Sequence, residues 1–311
     1  MKIQERLTEL STTRRGKCIL RIARISFTIG IVLFMVWQLR EYDFRSVFQA
    51  LPRNPGFYVL LVVLYFLLPT IQFLAYRVVW DFRPGPAIRA FIKKRILNRD
   101  VLGYSGEVYI FAWARDHVAM SNRSLMECIR DMNIISAVAS TLTAVLLLAF
   151  FALEGQVNVR DLIGETQAAV LIGGIGGTLL ILLVLVFTRR KWLFSMPWKE
   201  TRIVFGLHVA RVLVRQVLEI TMWHLAMPEV PLETWFTYAA ASIVVYRLPF
   251  IPNQDLVVAG VAVGIAGALT VSEPHIAALF VAVALVNRLI NLLFFTTLSV
   301  QMPKEAIPVT K

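Results

Sequence analysis

An ionisable stripe interrupts one of the long apolar stretches of the chain. His208, Arg211, Arg215 and Glu219 follow one another at spacings of three, four and four residues. On a helix these spacings place all four side chains on one face. An ionisable group at mid-membrane costs about 2.5 to 3.5 kcal/mol on insertion scales, so such a stripe must be paired, hydrated or ligand-bound.

The two arginines of this stripe indicate anion chemistry. Arginine keeps its charge and pairs phosphate through a planar fork, and Glu219, one turn after Arg215, would be an internal counter-ion. The stripe therefore predicts an anion-binding face in a hydrophilic cavity, with Arg215 and Glu219 as the deeper members. The alternative is that Arg211, nine residues after Arg202, extends to the cytoplasmic headgroups.

A second polar set lies towards the end of the chain. Asn287 and Asn291 are four residues apart and share a helix face, with Arg288 beside them. Asn253 and Asp255 stand at a break in the preceding apolar stretch. Arg288 either contributes to substrate binding or pairs with Asp255 to hold that break against the final helix, and the sequence supports both interpretations equally.

A third polar set includes Asn98, Asp100 and Glu107. Glu107 follows small and apolar residues, which favours a position at membrane depth, where a carboxyl group can be protonated and so couple to protons. Arg115 to His117 are interpreted as solvated charges. Neither Gly-x-Ser-x-Gly nor His-Glu-x-x-His occurs, and the four histidines have no metal-ligand spacing. The sequence predicts no catalytic residue, metal or cofactor.

The composition indicates a polytopic membrane protein. Hydrophobic residues make up 58% of the 311 residues and the mean hydropathy is +0.68, against about 45 to 50% apolar residues in soluble domains. The net charge of +12 comes from residues at the ends of apolar segments, which is typical of topology signals. No nucleic-acid-reading motif accompanies it, so nucleic acid is not an expected partner.

Six apolar runs are long enough to cross the bilayer. They are predicted at residues 19–39, 57–79, 132–153, 168–187, 203–227 and 276–300. The stretch from Arg83 to Arg99 holds six basic residues and that from Arg189 to Arg202 holds five. We therefore predict a plasma-membrane protein with both termini in the cytoplasm.

Two semi-apolar stretches, 87–115 and 235–272, are broken near their middles by Asn98-Arg-Asp-Val and Asn253-Gln-Asp-Leu. Each predicts a re-entrant helical hairpin, whose tip is tolerated only where protein or water covers it. Three crossings per half then give an inverted-topology repeat. The alternative is that 235–272 forms two ordinary short spans.

The predicted organisation has five parts. They are a basic cytoplasmic N-terminus (1–18), a first membrane repeat (19–153), an external loop (154–167), a second membrane repeat (168–300) and a cytoplasmic tail (301–311).

The segment Tyr246-Arg-Leu-Pro-Phe-Ile-Pro-Asn-Gln-Asp-Leu-Val-Val-Ala-Gly, followed by Val286-Asn-Arg-Leu-Ile, resembles the lysylphosphatidylglycerol synthase-type transmembrane, or flippase-like, family. The likeness covers roughly residues 20–300. Pro249, Pro252 and Arg288 match a proline-rich loop and a final-helix arginine of that family. The chain departs from the family where glycines are expected, at Asn253, Gln254 and Leu256. It has Ala259 in place of an acidic residue, so the role of that residue is not transferred.

The resemblance implies lipid translocation or a related lipid-handling role. Bifunctional members carry a soluble aminoacyl-transferase domain, and because the chain stops eleven residues after its last predicted span, we expect no such activity. The expected function is a flippase or transporter, not driven by ATP, for an anionic lipid or a polyisoprenoid-phosphate-linked substrate. The alternative is a membrane enzyme or accessory subunit of phospholipid or lipid-linked glycan synthesis. The sequence leaves a homo-oligomer open.

Overall fold

A computed structural model describes residues 51–101, 103–153, 194–246, 254–266 and 273–301, with a few positions between 22 and 33. Within these ranges the regular structure is helical, without strands. The predicted span 168–187 and nearly all of 19–39 lie outside the described residues.

The helices in the described ranges follow the order long, short, short, long, and this order occurs twice along the chain. The helices are α1 (Pro55–Arg77), α2 (Pro84–Ile96), α3 (Ser105–His117), α4 (Asn122–Leu153), α5 (Trp198–Ala226), α6 (Leu232–Val245), α7 (Gln254–Ala266) and α8 (Glu273–Gln301). A π-helical turn, Leu97–Val101, continues α2.

Local chemistry explains several helix starts. The Asn54 side chain accepts a hydrogen bond from the Gly56 N–H at 2.9 Å, and Pro55 occupies the first helical position of α1. The segment before α5 is fixed by fully buried Asp131 of α4, whose Oδ2 accepts from the N–H groups of Ser195 and Met196 at 2.7 and 2.9 Å. The start of α5 is therefore attached to the N-terminal part of α4.

Three of the described helices are long and apolar enough to cross a membrane: α1, residues Asn122–Phe151 of α4, and residues His275–Ser299 of α8. They contain the predicted spans 57–79, 132–153 and 276–300 almost entirely. Helix α4 begins ten residues before the predicted span, at Asn122. The 29-residue α5 has the length to cross, but it carries the charged stripe along its middle.

The long helices define two ends of the bundle. At one end a single apolar cluster joins the start of α1, the end of α4 and the end of α5 through Phe57, Phe151 and Trp223. At the other end Tyr76 and Met196 share a second cluster. We call residues 51–56 and 226–233 the acidic end, because these ranges hold two acidic residues, Glu229 and Glu233, and one basic residue, Arg53. Residues 77–83, 118–123 and 195–199 form the basic end. These ranges hold one acidic residue, Asp81, and four basic residues: Arg77, Arg83, Arg123 and Lys199.

The short helices form two hairpins that open at opposite ends. Helices α2 and α3 pack together, and the Phe82 and Trp113 rings lie 5.9 Å apart at the basic end. Helices α6 and α7 also pack together, and the start of α6 at Trp235 shares the acidic-end cluster with the end of α7 at Ala266. The hairpins then pack crosswise, because α2 contacts α8 and α6 contacts α4.

Candidate functional site

The end of α2 carries two buried cations. Lys94 is 1% exposed and Arg95 is 6% exposed. Lys94 Nζ lies 3.4 Å from Glu107 Oε1 on α3 and 5.3 Å from the centroid of the Tyr76 ring on α1. The sequence counts both among the basic residues from Arg83 to Arg99 that are predicted to face the cytoplasm, and that orientation stays a prediction. Lys94 and Arg95 are buried because α2 packs against α1, α3 and α8.

Arg95 belongs to a hydrogen-bonded network centred on fully buried Asn291 of α8. Asn291 Oδ1 accepts from Tyr65 Oη and from Arg95 Nη1, each at 2.8 Å. Asn291 Nδ2 donates to Asp100 Oδ2 at 2.7 Å, and Arg95 Cζ lies 4.0 Å from the centroid of the Tyr65 ring. Tyr65 is the eleventh of the 23 residues of α1, so the network reaches the middle of a helix long enough to span the membrane.

Asn98 closes the first hairpin. Its Oδ1 accepts from the Gly106 N–H at 2.7 Å, and Ser105 Oγ donates to the Leu97 carbonyl at 2.9 Å. A Cβ at position 106 would clash with the Lys94 carbonyl oxygen, so only glycine permits this crossing of α2 and α3. The crossing fixes Glu107 beside Lys94.

The predicted stripe on α5 divides into two parts. His208 is 2% exposed and lies within electrostatic range of Lys94 and Arg211. Arg211 Nη2 donates to Ser140 Oγ on α4 at 2.6 Å. Further along, Arg215 Nε and Nη2 donate to Glu219 Oε1 at 2.9 and 2.8 Å.

Arg215 also contacts the end of α6, since its Cζ lies 4.7 Å from the centroid of the Tyr246 ring. His208 and Arg211 therefore lie towards Lys94, whereas Arg215 and Glu219 form an ion pair next to the second hairpin.

The second predicted polar set is described in part. Arg288 lies within electrostatic range of Asp100, together with Arg95 and Arg99. Asn287 donates to the Val283 carbonyl of its own helix at 3.0 Å. Asn253 and the side chain of Asp255 lie outside the described residues, so the predicted contact between Arg288 and Asp255 remains a prediction.

We group the interior residues as the buried cationic cluster. Its members are Tyr65, Lys94, Arg95, Asp100, Glu107, His208, Arg211, Arg288 and Asn291. Lys94, Arg95, Arg211 and Arg288 are cations, and Asp100 and Glu107 are the carboxylates. Cations outnumber carboxylates among these nine residues, and arginine pairs phosphate through a planar fork, so a cluster of this composition suits an anionic ligand.

Sequence reasoning missed Lys94, Arg95 and Tyr65. A signal for the two cations was present, because they lie inside the stretch 87–115 that the sequence predicts to enter the membrane. A basic residue in such a stretch is a candidate interior charge as well as a topology signal. Tyr65 gave no signal, since a tyrosine in an apolar helix is ordinary.

Among the described residues, no group of three His, Cys, Asp or Glu side chains could hold a metal ion.

Comparison of the chain with protein-family models, with curated proteins and with solved structures gives no match. The family resemblance of the segment beginning at Tyr246 therefore stays a prediction, and the function must be argued from the buried cationic cluster itself.

Proposed function

We propose that this membrane protein moves an anionic lipid, or a polyisoprenoid-phosphate-linked lipid, between the two leaflets without ATP. The observation that carries the proposal is the buried cationic cluster, which extends from Tyr65 at mid-length of α1 to Lys94 beside Tyr76 near the end of α1. Arginine and lysine inside a membrane protein are costly and usually mark a binding site or pathway. A phosphate or phosphodiester headgroup fits the forked, permanently charged guanidinium groups of this cluster.

The proposed residue roles follow from the contacts. Arg211 and Arg288 are each only partly exposed and lie at the margin of the cluster, so we assign them to headgroup binding. Arg95 is fixed by Asn291 and Tyr65, so it supplies a preorganised positive field. Arg215 is engaged by Glu219, which makes this pair the structural support of the second hairpin.

The paired hairpins support a transport role. They open at opposite ends of the bundle, and each packs on the last long helix of the other half. An Arg–Tyr ring contact joins corresponding elements in both halves, Tyr65 of α1 with Arg95 of α2 and Arg215 of α5 with Tyr246 after α6. We interpret this arrangement as an inverted repeat with two re-entrant hairpins, a plan in which sites form near the midplane.

The apolar outer surface of the bundle is also suited to a lipid substrate. Large apolar side chains are exposed on the long helices, including Val59, Val62 and Val63 on α1 and Leu213, Val214 and Val217 on α5. An acyl or isoprenoid chain can stay against such a surface while the headgroup moves to the cluster. The basic end would face the cytoplasm of a plasma-membrane protein.

Reconstitution tests the proposal. Purified protein in phosphatidylcholine vesicles receives fluorescent phosphatidylglycerol or fluorescent phosphatidylcholine, and dithionite quenching reports the fraction in the outer leaflet. We expect faster exchange of phosphatidylglycerol than of phosphatidylcholine. Arg211→Gln should slow phosphatidylglycerol exchange by roughly ten- to a hundredfold, the value of a charged hydrogen bond of about 1.5 to 3 kcal/mol.

The matched control is Arg123→Gln, since Arg123 has an 89% exposed side chain on α4. It should exchange lipid at the wild-type rate. Equal exchange of both lipids by the wild type, or equal rates for the two variants, would contradict the proposal. Chemical conversion of the labelled lipid, detected by mass spectrometry, would instead support the alternative of a membrane enzyme.

A further inference from the structure

The ion pair between Lys94 and Glu107 is closed off inside the first hairpin. The lysine is 1% exposed and the glutamate side chain 14% exposed, and their nearest charged atoms are 3.4 Å apart. Within the described residues, Glu107 Oε2 has no hydrogen-bond partner. One carboxylate oxygen therefore remains available for a proton, while the other faces the ammonium group.

Several polar groups face this pair from the surrounding helices. Tyr76 of α1 lies within electrostatic range of Glu107, and His208 of α5 lies within range of Lys94. In the described part of the chain, Tyr76 Oη and His208 Nδ1 also have no hydrogen-bond partner. Beyond them, Cys128 of α4 lies near Tyr76 and Arg211 lies near His208. The pair thus has groups beside it that can pass a proton as well as bind one.

We infer that Glu107 and the phosphate of the substrate compete for Lys94, so that one proton is taken up for each anionic headgroup bound. The inference rests on the proposed function and adds its energy source. The phosphate can pair with Lys94 at low cost only if the Glu107 carboxylate is neutralised, because two negative charges around one buried ammonium group would repel each other. Protonation of Glu107 removes that repulsion.

The balance of charge and atoms is simple. A proton from water forms an O–H bond on the Glu107 carboxylate, and Lys94 remains an ammonium ion and exchanges Glu107 for the phosphate oxygen. A singly charged phosphodiester and one proton then enter together, so the step adds no net charge. On release, Glu107 loses the proton to water and again pairs with Lys94. Translocation is thereby coupled to the proton gradient.

Calorimetry measures the linkage directly. Dihexanoyl phosphatidylglycerol is titrated into the detergent-solubilised full chain in two buffers of different ionisation enthalpy, and the difference in heat gives the protons taken up. We expect about one proton per headgroup for the wild type. Glu107→Gln, which is permanently neutral, should take up none and should bind more tightly.

The matched control is Glu127→Gln, which removes a partly exposed carboxylate on α4 that pairs with Arg123. It should keep both the proton uptake and the affinity of the wild type. Should Glu107→Gln not fold, Glu107→Asp replaces it, because its shorter carboxylate holds Lys94 less well and should also give tighter binding.

A transport experiment uses vesicles that contain a pH-sensitive dye and fluorescent phosphatidylglycerol, so that proton uptake and lipid exchange are followed together. One proton per headgroup means that a gradient of about one pH unit biases the lipid distribution about tenfold. Binding or exchange by the wild type without proton uptake overturns this inference and leaves the proposed function standing. Proton uptake that persists in Glu107→Gln, or weaker binding by either Glu107 variant, overturns it as well.

Inorganic phosphate is the second ligand in the calorimetric arm. Absence of both binding and exchange with phosphatidylglycerol in the wild type overturns the proposed function together with the inference. Binding of inorganic phosphate without any binding of the lipid headgroup does the same, since it would assign the cluster to a soluble anion.

Discussion

At the scale of single residues, Asn291 determines whether the cluster is ordered. Its amide oxygen accepts two hydrogen bonds and its amide nitrogen donates one, so one side chain joins α1, α2 and the π-helical turn to α8. Asn291 can orient Arg95 and Asp100 together because an amide both donates and accepts. An apolar side chain of similar size would leave both charged groups without that partner.

Asn291→Leu should therefore lower the free energy of unfolding by about 1 to 3 kcal/mol, the cost of leaving a buried polar group unsatisfied. Thermal unfolding in detergent measures the change. The control is Asn287→Leu on the same helix, where the side chain bonds only to the Val283 carbonyl, and it should cost less. A larger loss for Asn287→Leu would contradict the central position of Asn291.

The Arg215–Glu219 pair should behave differently from the cluster. Its side chains are 35% and 13% exposed, and they bond to each other within one helix. Replacing both with leucine should leave stability within about 1 kcal/mol and preserve lipid exchange, because removing a whole ion pair is often neutral. Glu219→Leu alone should destabilise the protein, since it leaves Arg215 without its carboxylate. If the double variant is stable but no longer exchanges lipid, Arg215 would instead be assigned to substrate binding.

Periodicity in the sequence predicted part of this arrangement of side chains. The spacing of His208 and Arg211 places them on one face of α5, as their contacts with the cluster require. Lys94 and Arg95 could not be assigned in this way, because consecutive basic residues carry no period and only the packing of α2 decides which are buried. Asn98 was predicted to lie at a hairpin tip, but its hydrogen bond to Gly106 depends on the backbone path.

At the scale of elements, the first hairpin depends on the close crossing of α2 and α3. Length and composition predicted six apolar spans, and three of them coincide with described helices that are long and apolar enough to cross a membrane. The polar break near Asn98 predicted a re-entrant hairpin, and two short helices follow one another there. The extension of α4 to Asn122 was missed, because its first turns carry Arg123 and Arg130 and are not apolar. The crossing itself follows from the absence of a side chain at Gly106.

Gly106→Ala should destabilise the protein by about 1 to 3 kcal/mol, the usual cost of inserting volume into a packed site. It should also separate Glu107 from Lys94 and weaken lipid exchange. Gly103→Ala is the control, since a Cβ there would meet no atom within 4 Å. Equal unfolding temperatures for the two variants would show that the helices do not cross at Gly106.

At the scale of the whole molecule, the two ends of the bundle predict its orientation. The basic end should face the cytoplasm and the acidic end the outside. Single cysteines placed at Arg123, Lys199 and Glu229, in a variant whose Cys18 and Cys128 are alanine, report the side by reaction with an impermeant reagent in sealed cells. Only the cysteine at Glu229 should react. Reaction at Lys199 with protection at Glu229 would reverse the orientation.

The central claim is that the buried cationic cluster binds an anionic lipid headgroup, and mass spectrometry of the lipids retained by the purified protein tests it most directly. We predict that the wild type and Arg123→Gln retain a phosphate-bearing anionic lipid well above its share of the membrane, and that Arg211→Gln loses roughly tenfold of this enrichment. Equal retention by all three proteins, or enrichment of a zwitterionic lipid only, would contradict the claim.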